Sequence, residues 1–406
     1  MSEHAINAKM LYLVGGPGNA DRVDISDLFA NRLASYGMSI DYIVYTNKPA
    51  PVWTKTEWNN AVGYVVGRVA SGGIKAAVTN KMIEIAADIR TFWLAFTGDY
   101  DIIQIRDKFV SAVLGLVAAK LRGKKFVYWI SYPFAEARML DAKEGRALVP
   151  WISMLGGRIS AWLLYKIIMP NADHNFVQSQ KMLEDIAAEG VKPKLMTPVP
   201  MGVDDKLLDY PLGEVIPETI LYLGTLIRVR RLDMLIEAFA IVNKRFPNSR
   251  LIFVGDSDIA GDKEFLEEKA KQLRLLDKIE FTGMIPMPDA HNRVSKAAIC
   301  LSPFYPTKIL LSTSPTKISE YMALGRPVIA SMHPEQKTII DESGAGLCVE
   351  WSVMEFADAM IDMLDDPSKT EEMASRGRSY VRDNRTYPII AQNLASRYQA
   401  LMDDSL

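Results

Sequence analysis

The chain has 406 residues, of which 49% are hydrophobic and 24% charged, with a formal net charge of −2. This length exceeds one ordinary core and favours two domains, and the composition excludes a disordered or low-complexity protein. We expect no nucleic-acid partner. Both cysteines, Cys300 and Cys348, stand inside apolar runs, so we expect no disulfide framework and a reducing compartment.

The net charge is unevenly distributed along the chain. Residues 1–200 hold 23 Lys and Arg against 18 Asp and Glu, net +5, which leaves 24 against 31, net −7, for residues 201–406. Six of the seven tryptophans also fall in the basic half. This pairing suits an anionic or lipid-surface partner, although a solvated surface with a few core tryptophans gives the same composition.

The amino terminus shows no charged start followed by an apolar signal region. We therefore expect no secretory signal peptide and a cytoplasmic location. If the basic half contacts an anionic membrane, that location is the inner face of the cell membrane.

Short apolar runs alternate with helical segments through the first half. The first run, Leu11–Gly18, predicts a strand that ends in a glycine-rich turn, followed by a helix that ends at Gly37. Further strands are predicted at residues 40–46, 100–105, 125–130 and 174–179. This alternation predicts a parallel sheet that is covered on both faces.

One apolar segment, Leu148–Met169, stands out in this half. It is interrupted by Arg158, Lys166 and two glycines, so it lacks the uninterrupted run of ~20 apolar residues that a spanning helix needs. The pattern favours a buried helix in the core. The alternative is an interfacial helix that lies on a membrane beside a lipid-linked acceptor.

The strand and helix alternation restarts after residue 216, with strands predicted at residues 220–226, 250–256, 278–283, 298–304, 327–331 and 346–350. We therefore predict an α/β fold of two Rossmann-like, doubly wound domains that face each other across a cleft. The predicted boundaries are 1–203 for the first domain, 204–216 for a linker and 217–385 for the second domain. A carboxyl-terminal helix over 386–406 is predicted to pack back on the first domain. Ligands bind at the carboxyl ends of the strands in such domains.

The most informative segment is Ser312–Ser331. Ser314 is interpreted as the N-cap of a helix that ends at Gly325, which places Lys317 in the first turn and Glu320 one turn later. A lysine at the positive end of the helix dipole is best explained if a phosphate lies between them. The carboxylate of Glu320 could accept hydrogen bonds from two ribose hydroxyls. The same spacing is also that of a surface ion pair, and the residues alone leave both interpretations open.

The sequence SPTKISEYMALGRPVIAS in this segment resembles a motif of the retaining GT-B glycosyltransferases, the large family that contains lipopolysaccharide, capsule and phosphatidylinositol mannosyl transferases. YLGTLIRVRRLDMLIEAF and NADHNFVQSQKMLEDI resemble further segments of that family in the same order. The resemblance implies the GT-B fold and transfer of a sugar, with retention, from a UDP- or GDP-sugar to a hydroxyl acceptor. It implies a lipid-linked or glycan acceptor, in polysaccharide or glycoconjugate biosynthesis.

Carried over residue by residue, the resemblance implies that Glu320 holds the ribose and that Lys317 and Arg230 hold the diphosphate. These two cations would be the catalytic residues, because they stabilise the leaving group without a metal or any other cofactor. The donor-binding residues that the resemblance implies are Gly15, Gly16, Gly18, Gly224, Thr225, Met284, Ile285, Ser312, Thr313, Ser314, Thr316 and Glu320.

Three positions depart from the family pattern. Ser312 stands where many relatives have a glutamate that contacts the sugar, and Thr225 stands where many have an arginine, for which Arg228 or Arg231 could substitute. The histidine that some members place near residue 131 is also missing. These departures leave the sugar open and keep two alternatives: a sugar-nucleotide epimerase or hydrolase on the same fold, and a catalytically silent member that binds a nucleotide sugar.

No metal site is predicted. The four histidines lack the spacing of metal ligands: His4, His174, His291 and His333. Two aspartate pairs have the form that holds a divalent ion in the other glycosyltransferase fold: Asp99 with Asp101, and Asp256 with Asp258. Because these pairs flank predicted strands, we interpret them as turn residues.

Overall fold

The computed structural model describes residues 6–17, 22, 24–49, 53–58, 61–68 and 73–405. The chain divides into two compact units, and each contains one sheet with helices on both faces. Unit 1 consists of Met1–Met201 and Tyr387–Leu406, and unit 2 consists of Gly202–Thr386. The prediction of two α/β domains with parallel sheets is confirmed.

The sheet of unit 1 has eight strands in the order β3-β4-β2-β1-β5-β6-β7-β8. All neighbouring pairs are parallel except β3 with β4, which is antiparallel and was not predicted. The bounds of the strands are β1 Ala8–Pro17, β2 Met38–Pro49, β3 Thr54–Trp58, β4 Ala61–Arg68, β5 Ile102–Arg106, β6 Lys125–Ile130, β7 His174–Val177 and β8 Met196–Pro198.

Helices pack on both faces of this sheet and form two apolar cores. One core includes residues of α1, α2 and α6 and of a π-helical segment, Leu163–Ile168, and the other includes a π-helical segment, Asp24–Leu33. A short 3₁₀ helix spans Pro193–Leu195. The bounds of the helices are α1 Gly73–Thr97, α2 Phe109–Arg122, α3 Phe134–Lys143, α4 Pro150–Trp162, α5 Met169–Asn171 and α6 Gln180–Ala188.

The apolar segment predicted as a buried helix forms a continuous helix, Pro150–Asn171, which is long and apolar enough to cross a membrane. Only Gly157 is buried within α4, because this glycine packs against α3 and turns the larger side chains of α4 outward. Leu164, Tyr165 and Ile168, in contrast, lie in the core. The prediction of buried packing is wrong for α4 and confirmed for the carboxyl-terminal part of the helix.

Unit 2 contains a six-stranded, fully parallel sheet in the order β11-β10-β9-β12-β13-β14. The bounds of its strands are β9 Thr219–Leu223, β10 Arg250–Val254, β11 Ile279–Phe281, β12 Ile299–Ser302, β13 Val328–Ser331 and β14 Gly346–Val349. Residues 204–216, predicted as a linker, belong to this unit. They begin with a 3₁₀ helix, Asp205–Asp209, whose Leu207 is part of the core.

The helices of unit 2 include a 3₁₀ helix, Arg228–Arg230, which lies between β9 and the first long helix. The bounds of the α-helices are α7 Asp233–Arg245, α8 Asp262–Gln272, α9 Met287–Lys296, α10 Lys308–Leu311, α11 Lys317–Ala323, α12 Pro334–Ser343, α13 Val353–Asp365 and α14 Pro367–Asn384.

The last helix, α15 (Tyr387–Met402), belongs to unit 1, where Ile390, Leu394 and Tyr398 fill the core on the same sheet face as Asp24–Leu33. The chain enters and leaves unit 2 at one place. The Val203 amide donates to the carbonyl of Arg385 at 2.9 Å, and Val203 pairs with Thr386 in a parallel bridge.

Candidate functional site

Two glycines let the backbone come close together at the carboxyl ends of β9 and β10. Gly224 has a φ of 151°, and a Cβ there would lie 2.4 Å from Cε of Lys317 and 3.0 Å from the Tyr222 hydroxyl oxygen. Gly255 has a φ of 134°, and its Cβ would lie 2.1 Å from the carbonyl oxygen of Gly224. Any larger residue at 224 would therefore displace Lys317.

Helix α11 begins at Lys317 and ends at Ala323, and Gly325, two residues later, has a φ of 68°, the left-handed conformation that is common just after a helix. The interpretation of Ser314 as the N-cap is wrong: Thr316 occupies the cap position, and its side chain makes no capping hydrogen bond. The helical hydrogen bonds begin with the Glu320 amide, which donates to the Thr316 carbonyl at 3.1 Å. Lys317 nevertheless lies in the first turn, as predicted.

The ammonium group of Lys317 is held in an unfavourable environment. Burial and the nearby positive charge of Arg230 lower the pKa of Lys317 to about 8, against an opposing effect of Glu320. Within the described residues, no hydrogen bond or ion pair satisfies this group. Lys317 and Arg230 thus form a cluster of positive charge that suits an anionic ligand, with Glu320 as the acidic neighbour of Lys317.

Arg230 is the arginine that lies beside Lys317. Its guanidinium group lowers the pKa of Lys317, and it opposes the rise in the pKa of Tyr222 that burial causes. Its Nε is buried and has no hydrogen-bond partner in the described part of the chain. Arg230 thus lies near Lys317 and is hydrogen-bonded to the Tyr222 side chain, and these two neighbours approach the backbone at Gly224.

The other two arginines of this segment have structural partners. The Arg228 side chain donates to the Gly261 carbonyl at 3.1 Å and lies 4.5 Å from the centroid of the Phe265 ring. The Arg231 guanidinium lies 5.7 Å from the centroid of the Tyr305 ring and 3.6 Å from the carboxylate of Asp233. Both guanidinium groups thus contact neighbouring residues of unit 2, and substitution by either one for the arginine expected at Thr225 stays a prediction.

Glu320 lies one turn after Lys317 and is half-buried. Burial raises the pKa of Glu320, although the charge of Lys317 opposes the rise. Its carboxylate makes no hydrogen bond and no ion pair with any described residue, Lys317 included. The interpretation of these two residues as a surface ion pair is therefore wrong, and the carboxylate is available to a ligand with hydroxyl donors.

Sequence reasoning missed two residues that position this site. The Tyr321 hydroxyl is buried and accepts a hydrogen bond from the Leu223 amide at 2.8 Å, which ties α11 to the end of β9. His333 is also buried, and its Nδ1 accepts a hydrogen bond from the Glu335 amide at 3.2 Å. Because Nδ1 is an acceptor, Nε2 carries the proton and donates it to the Leu310 carbonyl at 2.9 Å. The only sequence signal was the tyrosine of the Glu-Tyr-Met-Ala motif.

The other predicted donor residues of unit 2 lie in two loops and one turn. Thr225 follows Gly224 and is exposed. Met284, which is exposed, and Ile285, which is half-buried, lie in the loop after β11. Gly283 of this loop forms a bridge to Gly255, at the end of β10. The second loop precedes α11 and contains Ser312, which is buried, and Thr313, Ser314 and Thr316, which are half-buried. The Thr313 hydroxyl donates to the Leu310 carbonyl at 2.6 Å, so this loop is held in place near Lys317.

The predicted glycine turn of unit 1 lies at the end of β1. Gly15 and Gly16 line a cavity of about 200 Å³, together with residues at the carboxyl ends of β2, β4 and β5 and on α1. A Cβ on Gly15 would lie 2.5 Å from the Arg106 carbonyl oxygen, so β1 and β5 approach each other closely here. Gly18 lies outside the described residues. The cavity is lined by Gly15, Gly16, Tyr45, Gly67, Arg68, Asn80, Ile83, Glu84, Asp107, Lys108 and Phe134.

The two aspartate pairs have local partners. Asp101 accepts a hydrogen bond from the Lys9 amide at 2.9 Å, and Asp256 accepts one from the Ser257 amide at 2.9 Å. Among the residues that the structure describes, neither pair belongs to a group of three metal-ligating side chains. Both cysteines are free, as expected.

Residues 217–366, which include all the site residues of unit 2 named above, match the family described as glycosyl transferases group 1. The chain is 26% identical over 178 residues to a mannosylfructose-phosphate synthase from Agrobacterium fabrum, which covers 39% of this chain and 36% of that protein. It is also 26% identical over 190 residues to an alpha-monoglucosyldiacylglycerol synthase from Streptococcus pneumoniae, and this match covers 47% of this chain and 39% of that protein. The matches thus span well under half the length of either relative.

Solved structures match over nearly the whole chain. The sucrose-phosphate synthase from Thermosynechococcus elongatus superposes with a TM-score of 0.73 at 19% identity, covering 98% of this chain and 100% of that one. Anabaena HepE in complex with UDP superposes with a TM-score of 0.63 at 16% identity, covering 97% of this chain and 100% of that one. A glycosyltransferase from Rickettsia africae gives 0.66 at 14% identity, covering 98% and 100%. The chain therefore has the GT-B fold, and its residues 217–366 are similar to the glycosyl transferases group 1.

Proposed function

We propose that this protein is a retaining glycosyltransferase that moves a sugar from a UDP- or GDP-sugar to a hydroxyl acceptor. One observation carries the proposal: Lys317, which approaches Gly224, lies near Arg230, and within the described residues neither the Lys317 ammonium nor the nearby Glu320 carboxylate has a hydrogen bond or ion pair. These residues lie in the part of the chain that matches the group 1 glycosyl transferases. A nucleoside diphosphate presents the complementary groups, two phosphates and a ribose with two hydroxyls.

The proposed chemistry follows from where charge develops. When the glycosidic bond breaks, the diphosphate leaves with added negative charge, so fixed cations stabilise the transition state more than the bound donor. Lys317 and Arg230 are both half-buried, where a charge interaction is stronger than in water. Their mutual repulsion in the free protein is relieved when the diphosphate binds between them.

The ribose contact is tested with Glu320→Gln. We expect this change to weaken binding of UDP or GDP by ~1.5–3 kcal/mol, because the charge-assisted hydrogen bonds to the ribose hydroxyls are lost. Isothermal titration calorimetry measures the loss, and Glu355→Gln, an exposed glutamate of α13, is the matched control. Unchanged affinity in Glu320→Gln would place the ribose elsewhere.

The reaction itself is tested with NDP-sugars alone and with acceptors. A transferase should hydrolyse its donor slowly and form product when a suitable acceptor is added. Release of an epimerised nucleotide sugar would instead identify an epimerase, and binding without turnover would identify a silent member, the alternative that Ser312 in place of glutamate keeps open. The anomeric configuration of the product, read by NMR, decides between retention and inversion.

We propose that the reaction needs no metal, since Lys317 and Arg230 already supply positive charge to the diphosphate. Activity is therefore expected to survive an excess of EDTA. Complete loss of activity with EDTA, restored by manganese or magnesium, would refute this and would direct attention to Asp256 and Asp258.

The proposed acceptor is a lipid-linked or glycan hydroxyl, in glycoconjugate or polysaccharide synthesis on the cytoplasmic face of the membrane. The name of one relative, an alpha-monoglucosyldiacylglycerol synthase, refers to a lipid product and supports the lipid-linked class. The other relative is named for a sugar phosphate, mannosylfructose-phosphate. Parallel assays with glycolipid and soluble sugar acceptors distinguish the two classes, and product formed only from soluble sugars would refute the lipid-linked acceptor.

A further inference from the structure

Large exposed apolar side chains in unit 1 are confined to one side of the sheet. Among the described residues, all sixteen such side chains of this unit lie on α1, α2 or α4, in the two residues before α4, or at Phe134. None lies on α15 or on Asp24–Leu33, which cover the opposite face. Chance scatter of single surface hydrophobics does not give such a distribution.

The side chains on α1 form a continuous stripe. They follow one another at intervals of three or four residues, so they share one face of the helix. The opposite face of α1 packs on the sheet through Ile83, Ala87 and Ala95. The stripe consists of Val78, Met82, Ile85, Ile89 and Trp93, which are 44% to 62% exposed.

The neighbouring helices extend this stripe. Helices α1 and α2 are in contact, and α2 packs against Leu163–Ile168, the continuation of α4. The Arg122 guanidinium of α2 lies 5.8 Å from the centroid of the Phe96 ring of α1. The exposed apolar residues on these neighbours are Val110, Val117, Leu121, Leu148, Val149, Trp151, Ile152, Leu155, Ile159 and Trp162. Together with the stripe of α1 they form a surface that we name the apolar helix face.

The charges on the same three helices are almost all positive. Helices α1, α2 and Pro150–Asn171 contain seven basic residues and two acidic ones. One acidic residue, Asp88, is buried and hydrogen-bonded to Ser111, and the other, Glu84, pairs with Lys81 at 3.1 Å. All seven basic side chains are exposed: Lys75, Lys81, Arg90, Lys120, Arg122, Arg158 and Lys166.

We infer that the apolar helix face docks unit 1 onto the surface of an anionic lipid bilayer. Exposed Trp93, Trp151 and Trp162 suit the headgroup level, where amphipathic rings collect, and the basic side chains suit anionic headgroups. A second copy of the same face is a poor occupant, because a two-fold contact would set seven basic residues against seven others.

The surface lies on the membrane and does not span it. Although Pro150–Asn171 is long enough to cross a bilayer, Leu164, Tyr165 and Ile168 in its second half are built into the core of unit 1. A spanning orientation would require these side chains to leave the core. The helix therefore contacts lipid with its exposed face while its other face stays packed, as interfacial helices do.

Vesicle co-sedimentation of the full chain tests this inference. We expect binding to vesicles of phosphatidylcholine mixed with phosphatidylglycerol, weaker binding at high salt, and a partition coefficient at least about tenfold lower on phosphatidylcholine alone. Insertion of the exposed tryptophans should shift their emission to the blue. Equal recovery of the protein in the soluble fraction with every vesicle would overturn the inference.

Two variants and two matched controls locate the surface. Trp151→Ala/Leu155→Ala/Trp162→Ala and, separately, Arg158→Gln/Lys166→Gln should each lower the partition coefficient on anionic vesicles by about tenfold or more. Leu276→Ala/Met354→Ala and Lys271→Gln/Lys337→Gln remove equally exposed side chains of unit 2 and should leave it unchanged.

Two further measurements keep the outcomes apart. Melting temperatures verify that each variant is folded, and UDP affinity should be unchanged in all four, so failure here is separate from failure of the proposed donor site. If binding does not change in the first two variants, the apolar helix face is not the docking surface. If the wild type forms a dimer by sedimentation velocity that the triple variant loses, the occupant is a second copy and the inference is wrong.

Discussion

In the proposed donor site, the charge of Lys317 depends on the solution pH near neutrality, because its pKa of about 8 lies within the working range of most buffers. A bound diphosphate favours the protonated amine and raises its pKa. We therefore expect nucleotide affinity to be insensitive to this group below pH 8 and to fall by up to about tenfold per pH unit above it.

Calorimetric titration of UDP across this pH range tests the expectation. Proton uptake on binding, measured above pH 8 in buffers of different ionisation enthalpy, gives an independent reading of the same proton. The variant Lys317→Met should bind more weakly and should show no fall in affinity across this range. A wild-type affinity that stays constant up to about pH 10, near the ordinary lysine pKa, would contradict the lowered pKa.

At the scale of single residues, the family resemblance predicted Lys317, Glu320 and Arg230 as site residues, and the structure places Lys317 near both of the others. The resemblance did not identify Tyr321 or His333, because a hydroxyl or imidazole that bonds a distant main-chain group leaves no local pattern. Nor could it show that Arg228 and Arg231 have structural partners. Which of three adjacent arginines faces a ligand depends on tertiary contacts with Phe265 and Tyr305.

At the scale of elements, Tyr321 joins α11 to β9, so Tyr321→Phe should affect both stability and binding. The change leaves the partly buried amide of Leu223 without the Tyr321 hydroxyl, and we expect the free energy of unfolding to fall by ~1–3 kcal/mol. Because Leu223 precedes Gly224, the affinity for UDP should fall too. Urea unfolding and calorimetry measure the two effects.

The matched control is Tyr210→Phe in unit 2, where the hydroxyl donates to the Pro288 carbonyl at 3.1 Å in an exposed position. Its loss should cost less than about 0.5 kcal/mol, as for most surface substitutions. Equal destabilisation by the two changes would mean that the Tyr321 hydroxyl contributes nothing specific to the junction of α11 with β9.

The predictability of the elements follows from how deeply each is buried. The strands of unit 2 were predicted within a few residues, because strands covered on both faces are unbroken apolar runs. Strands β3 and β4, at the edge of the other sheet, were missed since Thr54–Trp58 is mostly polar and exposed. The predicted helix after β1 is π-helical over Asp24–Leu33; its buried Leu28 and Leu33 are five residues apart, a spacing closer to the i→i+5 bonds of a π-helix.

At the scale of the whole molecule, the cations and the carboxylate of the proposed donor site all belong to unit 2. A fragment of residues 202–386 contains both cores of this unit and its complete sheet. We therefore expect the fragment to fold on its own and to bind UDP or GDP, while having no transferase activity. Circular dichroism, thermal unfolding and calorimetry test this.

A control chain of residues 1–386 contains unit 2 and most of unit 1 but lacks α15. Removal of Ile390, Leu394 and Tyr398 opens the core of unit 1, so this chain should show a destabilised unit 1 and an intact unit 2. Nucleotide binding by this truncated chain but not by the fragment 202–386 would show that unit 1 supplies essential donor contacts.

The pairing of Val203 with Thr386 has a consequence for how such a protein can be altered. Unit 2 is inserted into unit 1, and its two junctions lie side by side. This arrangement is what the exchange of one inserted domain for another requires. The domain of another protein of this fold that corresponds to unit 2 could be grafted between residues 201 and 387 by joining the chain at these two adjacent points. With the proposed donor site in unit 2, such a graft would change the sugar nucleotide and retain the surfaces of unit 1, so donor and acceptor specificity could diverge separately by recombination.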